Sequence, residues 1–415
     1  MKLDFLPAFI KDADKRNFPT ITAFLLGLSL PLSNQLLKVA LILALICVLR
    51  YRDMKYFRQL ITHPMVILPA LMVGLLALSL LTHYHEAGPG MVEKYKKLLY
   101  VLPIALFFVL RPAQGSSFVS GFLLGNILAL AASLIVGLFH LFPTHIDPAS
   151  PTVFKLHITH NFFMALSVLL WLERARISQG YGRAAYLLLI AVAVYNIVFM
   201  VPGRTGYVAL VAGIGVWVLL SLKPRQSLLA IGAGVIALCL LFAVPNRATD
   251  RLMLGVHEIE NCLEQESGTA YSACNTSMGQ RTAFVLQSVQ LIKQAPILGN
   301  GAGSFWYYNP ETGYSINNPH NQYLLETIQN GVVGLAIFLL WMASFAIAAW
   351  RQPPHLRNVL IAVFASYMAC HIFNSFLLDS TEGHLFVILT ALLLAKHIPL
   401  VQRKKNESRL PSRPS

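Results

Sequence analysis

Long unbroken apolar runs fill most of this chain, and polar residues come in short clusters between them. The runs are roughly 17–25 residues long, enough to cross a ~30 Å hydrocarbon core as helices. The alternating segments of a membrane β-barrel do not occur. A helical bundle is then the spanning structure that leaves no backbone group unpaired in lipid. Hydropathy predicts about twelve spans. They lie near 18–33, 35–50, 64–82, 95–110, 116–140, 156–173, 184–201, 205–222, 227–244, 328–350, 357–378 and 383–399. The expected fold is all-α: a polytopic membrane protein in which residues 1–415 form a single integral membrane domain.

One long polar interruption, residues 245–327, separates spans nine and ten. Its first part, 246–278, reads as polar and irregular, with an acidic patch at Glu258, Glu260, Glu264 and Glu266. Its second part, Gly279–Gln294, reads as an amphipathic helix, because Phe284, Val285, Ser288, Val289 and Ile292 fall at i, i+3/i+4 spacing. Pro296, Gly299, Gly301 and Gly303 end it. The glycines are read as a turn, since no strand precedes them and no Lys–Ser/Thr follows. The aromatic stretch Phe305–Trp306–Tyr307–Tyr308 and Tyr314 suits either the membrane–water boundary or the face of a sugar ring.

Charge sets the orientation. With the leader Met1–Pro19 retained and placed in the cytoplasm, about 22 of the 32 Lys and Arg residues fall in cytoplasmic segments. Both termini then lie in the cytoplasm, which requires an even number of spans, and the large loop faces the outer side. The chain is 56% hydrophobic and 12% charged, about half the charged share of a soluble domain. The net charge of +14 therefore reflects topology and contact with anionic membrane lipids, not nucleic acid. Cys47, Cys239 and Cys370 sit in spans. Cys262 and Cys274 share the loop, where a disulfide would add roughly 3 kcal/mol by closing it. An oxidising compartment would permit that bond.

Basic residues on the outer side oppose the topology rule and draw attention. Arg204 lies in the tight turn Val201–Pro202–Gly203–Arg204–Thr205–Gly206, and Arg281 opens the loop helix. Two guanidinium forks gathered at one spot would suit a pyrophosphate. Each could instead pair with an acid such as Asp250 or Glu258. Lys94, Lys96 and Lys97 form a second outer cluster, suited to membrane phosphates or to a phosphorylated lipid. His320 is the candidate base, since an ordinary imidazole is partly unprotonated near neutral pH. Its alternative role is to cap the next span. Asn317, Asn318, Asn321 and Gln322 surround it with amides able to bind hydroxyls. Asp379 and Glu382, in the last outer turn, could orient His320 or meet an arginine. His157, His160, His83 and His85 lack the Cys, Asp or Glu partners of a metal site. Charged residues are almost absent from span centres, which disfavours an ion-coupled transporter. The long loop follows span nine, where a transporter of two six-span halves would place it after span six.

The chain resembles the O-antigen ligase/polymerase superfamily of bacterial envelope glycosyltransferases. The resemblance is carried by Pro202–Gly206, Gly279–Gln280–Arg281, Leu298–Gly303 and Asn318–Pro319–His320–Asn321, in that order. It covers the chain from about span six onward and is strongest toward the ligase branch. It implies transfer of O-antigen polysaccharide from undecaprenyl pyrophosphate to the terminal sugar of lipid A–core. The reaction would take place at the periplasmic face of the inner membrane, with inversion and with neither metal nor nucleotide cofactor. His320 would be the base, Arg204 and Arg281 would hold the departing pyrophosphate, and Asp379 would match an acid in the last outer turn. Asn318 and Asn321 would contact substrate. An O-antigen polymerase and a protein O-oligosaccharyltransferase share these expectations. A lipid-linked oligosaccharide flippase is the alternative from another class.

Overall fold

The computed structural model describes residues 18–51, 54–111, 113–141, 146–147, 149–201, 203–243, 247–264 and 274–407. Most of the leader, with Lys2, Lys11, Lys15 and Arg16, lies outside the described residues, as do Arg52, Pro202, Pro245, Glu266, Arg409 and Arg413.

The described chain is a helical bundle. It begins with α1 (Phe18–Leu32), α2 (Asn34–Tyr51), the short α3 (Phe57–Ile61) and α4 (Pro64–Thr82). Next come α5 (Gly88–Tyr95), a 3-10 turn (Lys96–Tyr100), α6 (Val101–Val109) and α7 (Gln114–Phe139). After these run α8 (His157–Ile177), α9 (Gly180–Tyr195), a π-turn (Asn196–Met200), α10 (Arg204–Ser221) and α11 (Pro224–Ala243). The loop region holds α12 (Arg247–Glu264), α13 (Ser277–Gln294) and a small hairpin of β1 (Tyr307–Tyr308) and β2 (Ser315–Ile316). The chain closes with α14 (Gln322–Trp350), α15 (Pro354–Cys370) and α16 (Ser380–Glu407).

Among the described residues, five helical stretches are long and apolar enough to cross a membrane: Pro64–Thr82, Gln114–Phe139, Gly180–Met200, Arg204–Ser221 and Gln322–Trp350. Phe18–Leu32 and Pro224–Leu240 are shorter apolar helices. The other expected spans are altered in identifiable ways. The 95–110 run is split between the 3-10 turn and the nine-residue α6. The 357–378 run stops being helical at Cys370. The helix α8 carries Glu173, Arg174 and Arg176 in its last turns.

Close helix contact needs small residues, because packing in lipid rests on backbone approach. A Cβ on Gly121 of α7 would lie 2.0 Å from the Phe24 carbonyl oxygen, so only glycine lets α7 meet α1 there. Ser366 of α15 donates to the Ala209 carbonyl of α10 at 2.8 Å, fastening those two helices.

Two loop expectations are resolved differently from each other. The segment expected to be irregular instead contains α12. Its Leu252, Val256, Ile259 and Leu263 recur at i+4, i+3 and i+4, a helical stripe that the interspersed acids obscure in a hydropathy average. The expected helix at Gly279–Gln294 is present, two residues longer, as α13. Cys262 and Cys274 are joined as a disulfide, tying the end of α12 to the approach to α13.

The helix α14 is broken at Gly331, whose φ of 64° lies where L side chains are strained. The broken turn frees backbone groups, and the glycine-rich run docks on them. Asn300 N–H donates to Ile328 O (2.8 Å), Gly301 N–H to Gln329 O (3.0 Å) and Val332 N–H to Pro296 O (2.8 Å). Leu298–Gly303 is thus a brace for the start of α14 rather than a phosphate loop.

Candidate active site

The N-terminal ends of α10, α13 and α14 and the C-terminal end of α15 meet at one end of the bundle. Arg204 is the first residue of α10, where the π-turn and Gly203 re-aim the chain. Next to it, the Thr205 hydroxyl accepts a hydrogen bond from Asn374 Nδ2 at 3.0 Å. The Arg204 guanidinium reaches α12, with Nη2 3.8 Å from Glu258 Oε2. That carboxylate also accepts the Met278 N–H at 2.9 Å, so it links α12 to the first turn of α13. The pairing with Glu258 is one of the two alternatives open to this arginine from sequence.

Arg281 lies one turn into α13, a helix capped by the Thr276 hydroxyl. Its guanidinium is largely withdrawn from water, with Met278 Sδ 3.9 Å from Nη1. Among the described residues it makes no ion pair. Burial, and then the charge of Arg204, hold its pKa below the usual arginine range. Two guanidinium groups thus lie within reach of each other's charge, and Glu258 pairs with the first. Such a site is poised for an anion, since fixed cations in a partly dry setting are poorly compensated without one.

His320 completes the cluster. Its backbone is left-handed, with φ of 51°, a conformation that costs a non-glycine residue about 1–3 kcal/mol. Neighbouring polar groups hold it there. Asn318 Oδ1 accepts the His320 N–H at 3.0 Å and the Ser375 hydroxyl at 2.7 Å. Asn321 Oδ1 accepts the Leu324 N–H at 3.0 Å and caps α14. The imidazole stacks on Phe284 of α13, with ring centroids 6.1 Å apart and planes 29° apart. Phe284 packs with Phe305, Tyr307 and Ile328, so the base rests on an apolar floor. Burial, and then the charge of Arg281, push the imidazole pKa down to about 4. The ring is neutral at pH 7, as a base must be, but its pKa lies well below the near-neutral value expected from sequence.

Arg204, Arg281 and His320 therefore come together, each of the last two feeling the charge of the one before it. The structure gives the other expected site residues these surroundings. The side-chain oxygens of Asn318 and Asn321 hold the His320 backbone and the α14 cap. Asp379, expected near His320 or an arginine, faces lysines instead. Its carbonyl accepts Lys97 Nζ at 2.6 Å. Its carboxyl is pushed up by burial and by nearby Glu382, against the pull of Lys97 and Lys94. His160 is buried and bonded to Asn196 Oδ1 at 2.9 Å, and His85 to the Asn300 carbonyl at 2.8 Å. Among the described residues, no three His, Cys, Asp or Glu side chains are grouped to hold a metal ion.

Asn374 and Ser375 were missed in the sequence because an apolar run to 378 hid them. The turn that contains them bonds both Thr205 and Asn318, bringing the arginine turn and the histidine loop together. The available signal was the clustering of His371, Asn374 and Ser375 within five positions of one predicted span. Ser375→Ala is expected to lower turnover about tenfold by loosening His320, with normal membrane insertion, and Ser375→Thr to restore it. Steady-state kinetics of the purified variants checks this.

A family model described as O-Antigen ligase matches residues 187–339, a stretch that includes Arg204, Arg281 and His320. No curated protein matches the chain.

Proposed function

We propose, from the match of residues 187–339 to a family model described as O-Antigen ligase, that this chain is an O-antigen ligase. In this reading it sits in the bacterial inner membrane with about twelve spans and cytoplasmic termini, and its site faces the periplasm. It moves O-antigen polysaccharide from undecaprenyl pyrophosphate to the terminal sugar of lipid A–core. The observation that carries the proposal is the concentration of positive charge beside His320: the guanidinium of Arg281 feels that of Arg204, and the imidazole feels Arg281.

The chemistry follows from that positive charge. The acceptor hydroxyl attacks the anomeric carbon as the bond to the lipid diphosphate breaks. A single displacement inverts the anomeric centre. Negative charge grows on the departing diphosphate, and Arg204 and Arg281 stabilise it where it forms. His320 takes the hydroxyl proton. Its depressed pKa makes it a weak base in the empty site. A bound diphosphate would offset the charge of Arg281 and raise the imidazole pKa back toward its ordinary value, so the base strengthens when the donor is in place.

The test is to incubate the purified protein with lipid-linked O-antigen and lipid A–core. Glycan-bearing lipid A–core with released undecaprenyl pyrophosphate is the expected result. Longer lipid-linked chains with unmodified core would make the protein a polymerase. Transbilayer movement with no new glycosidic bond would overturn the enzymatic reading.

A further inference from the structure

A second cationic site lies on the other side of the histidine loop. A cavity of about 920 Å³ opens between α2, the 3-10 turn, α6 and the start of α16. Lys38, Lys94, Lys96 and Lys97 line it, against the carboxylates Glu93 and Asp379. Lys96 is paired with Glu93 at 2.7 Å. Lys97 is buried and spends two of its three donors on the carbonyls of Leu378 and Asp379. Lys38 and Lys94 are exposed.

The walls grade from charged to apolar in the same sense. On α2, Lys38 is followed on one face by Leu41, Ile42 and Leu45, at i+3, i+4 and i+7. On the facing wall, Lys97 gives way to Tyr100 and Ile104. Ammonium groups at one end and aliphatic side chains one to two turns along, with Ile42 and Leu45 open to the surroundings, match an amphiphile with an anionic head and a hydrocarbon tail. Asn317 and Asn318 also line this cavity. Two residues on, His320 stacks on α13 and feels Arg281. The loop thus has the lysine cavity on one side and the arginine pair on the other.

We propose that the lysine cavity docks the phosphate-bearing lipid of the glycolipid acceptor, while the arginine pair takes the donor diphosphate. The assignment rests on the transfer reading above. Two lipid-anchored substrates must meet at one base, and each carries phosphate that needs its own cations. The aliphatic end of the cavity holds the acceptor's chains, and the lysines at the other end fix the height of its sugar relative to His320.

The test uses the full chain in phosphatidylcholine nanodiscs, with bis-phosphorylated lipid A and its enzymatically dephosphorylated form as probes. The double variant Lys38→Ala/Lys94→Ala should bind bis-phosphorylated lipid A at least about tenfold more weakly. The dephosphorylated lipid should bind weakly to both proteins. The variant Lys38→Arg/Lys94→Arg should retain binding, which separates lost charge from misfolding. In the transfer assay the alanine pair should raise KM for the acceptor and leave kcat and the donor KM unchanged. Unchanged lipid A affinity, equal displacement by phosphatidylglycerol, or a raised donor KM would each overturn the proposal. Phosphate-dependent lipid A binding that the alanine pair abolishes, in a protein that transfers nothing, would uphold the lipid site and sink the transfer reading instead.

Discussion

Arg281→Ala is expected to reduce transfer by about 10²–10³-fold while leaving the protein as stable as before, or more so. The catalytic loss follows from removing a fixed cation from the place where leaving-group charge develops. The neutral or favourable effect on stability follows from where that cation sits. It is withdrawn from water beside Arg204, its pKa is lowered, and among the described residues it makes no ion pair. Removing it relieves desolvation and repulsion at once. Arg204→Ala should give a similar catalytic loss with the opposite effect on stability. It leaves the buried Glu258 carboxylate without the cation now 3.8 Å away, at a cost of about 1–3 kcal/mol. Arg281→Lys should recover little activity, because a point charge does not reproduce the guanidinium fork. Thermal unfolding in detergent, paired with transfer rates, checks both signs. Equal destabilisation by the two alanine variants would show that the arginines are structural partners rather than an anion site.

His320→Ala is expected to lower kcat by about 10²–10⁴-fold, the usual worth of a positioned base, with normal expression. Its signature is in the pH dependence. Below its pKa the imidazole is protonated and cannot accept the acceptor's proton, so activity must fall as pH falls. In the free protein the pKa is about 4, so kcat/KM should hold down to roughly pH 5 and lose its acid limb near 4. With donor bound, the diphosphate offsets Arg281 and raises that pKa. The acid limb of kcat should therefore lie at higher pH than that of kcat/KM. Arg281→Met should move the kcat/KM limb up toward the ordinary histidine value, since it deletes one of the two causes of the depression. Coincident limbs in the two profiles would remove donor charge as the agent that strengthens the base.

What the sequence made legible was what local chemistry dictates. Apolar runs announce helices because lipid leaves the backbone no other partner. Arg204 and Arg281 stand out because basic residues are few on the outer side, and His320 because asparagines and a glutamine surround it. Less visible were features set by tertiary contact. Asn318 holds the His320 backbone by a local bond two residues on, but nothing local says that the same oxygen would also accept Ser375, which arrives from 57 residues away. Asp379 was drawn toward His320 by its position in an outer turn, but Lys97 competes for that turn through two carbonyls. The helix α12 escaped notice because hydropathy averages its apolar stripe with its acids, while a period-sensitive reading separates them.

The bridge between Cys262 and Cys274 reaches beyond the loop it closes. One partner lies a turn past Glu258, the counterion of Arg204, and the other precedes the helix that presents Arg281. The covalent link therefore fixes the register of one guanidinium's support against the other guanidinium. In reducing surroundings the same polypeptide would carry every reactive group yet lack the alignment between them. Under the proposed function, competence for chemistry would depend on a thiol-oxidising space around the loop.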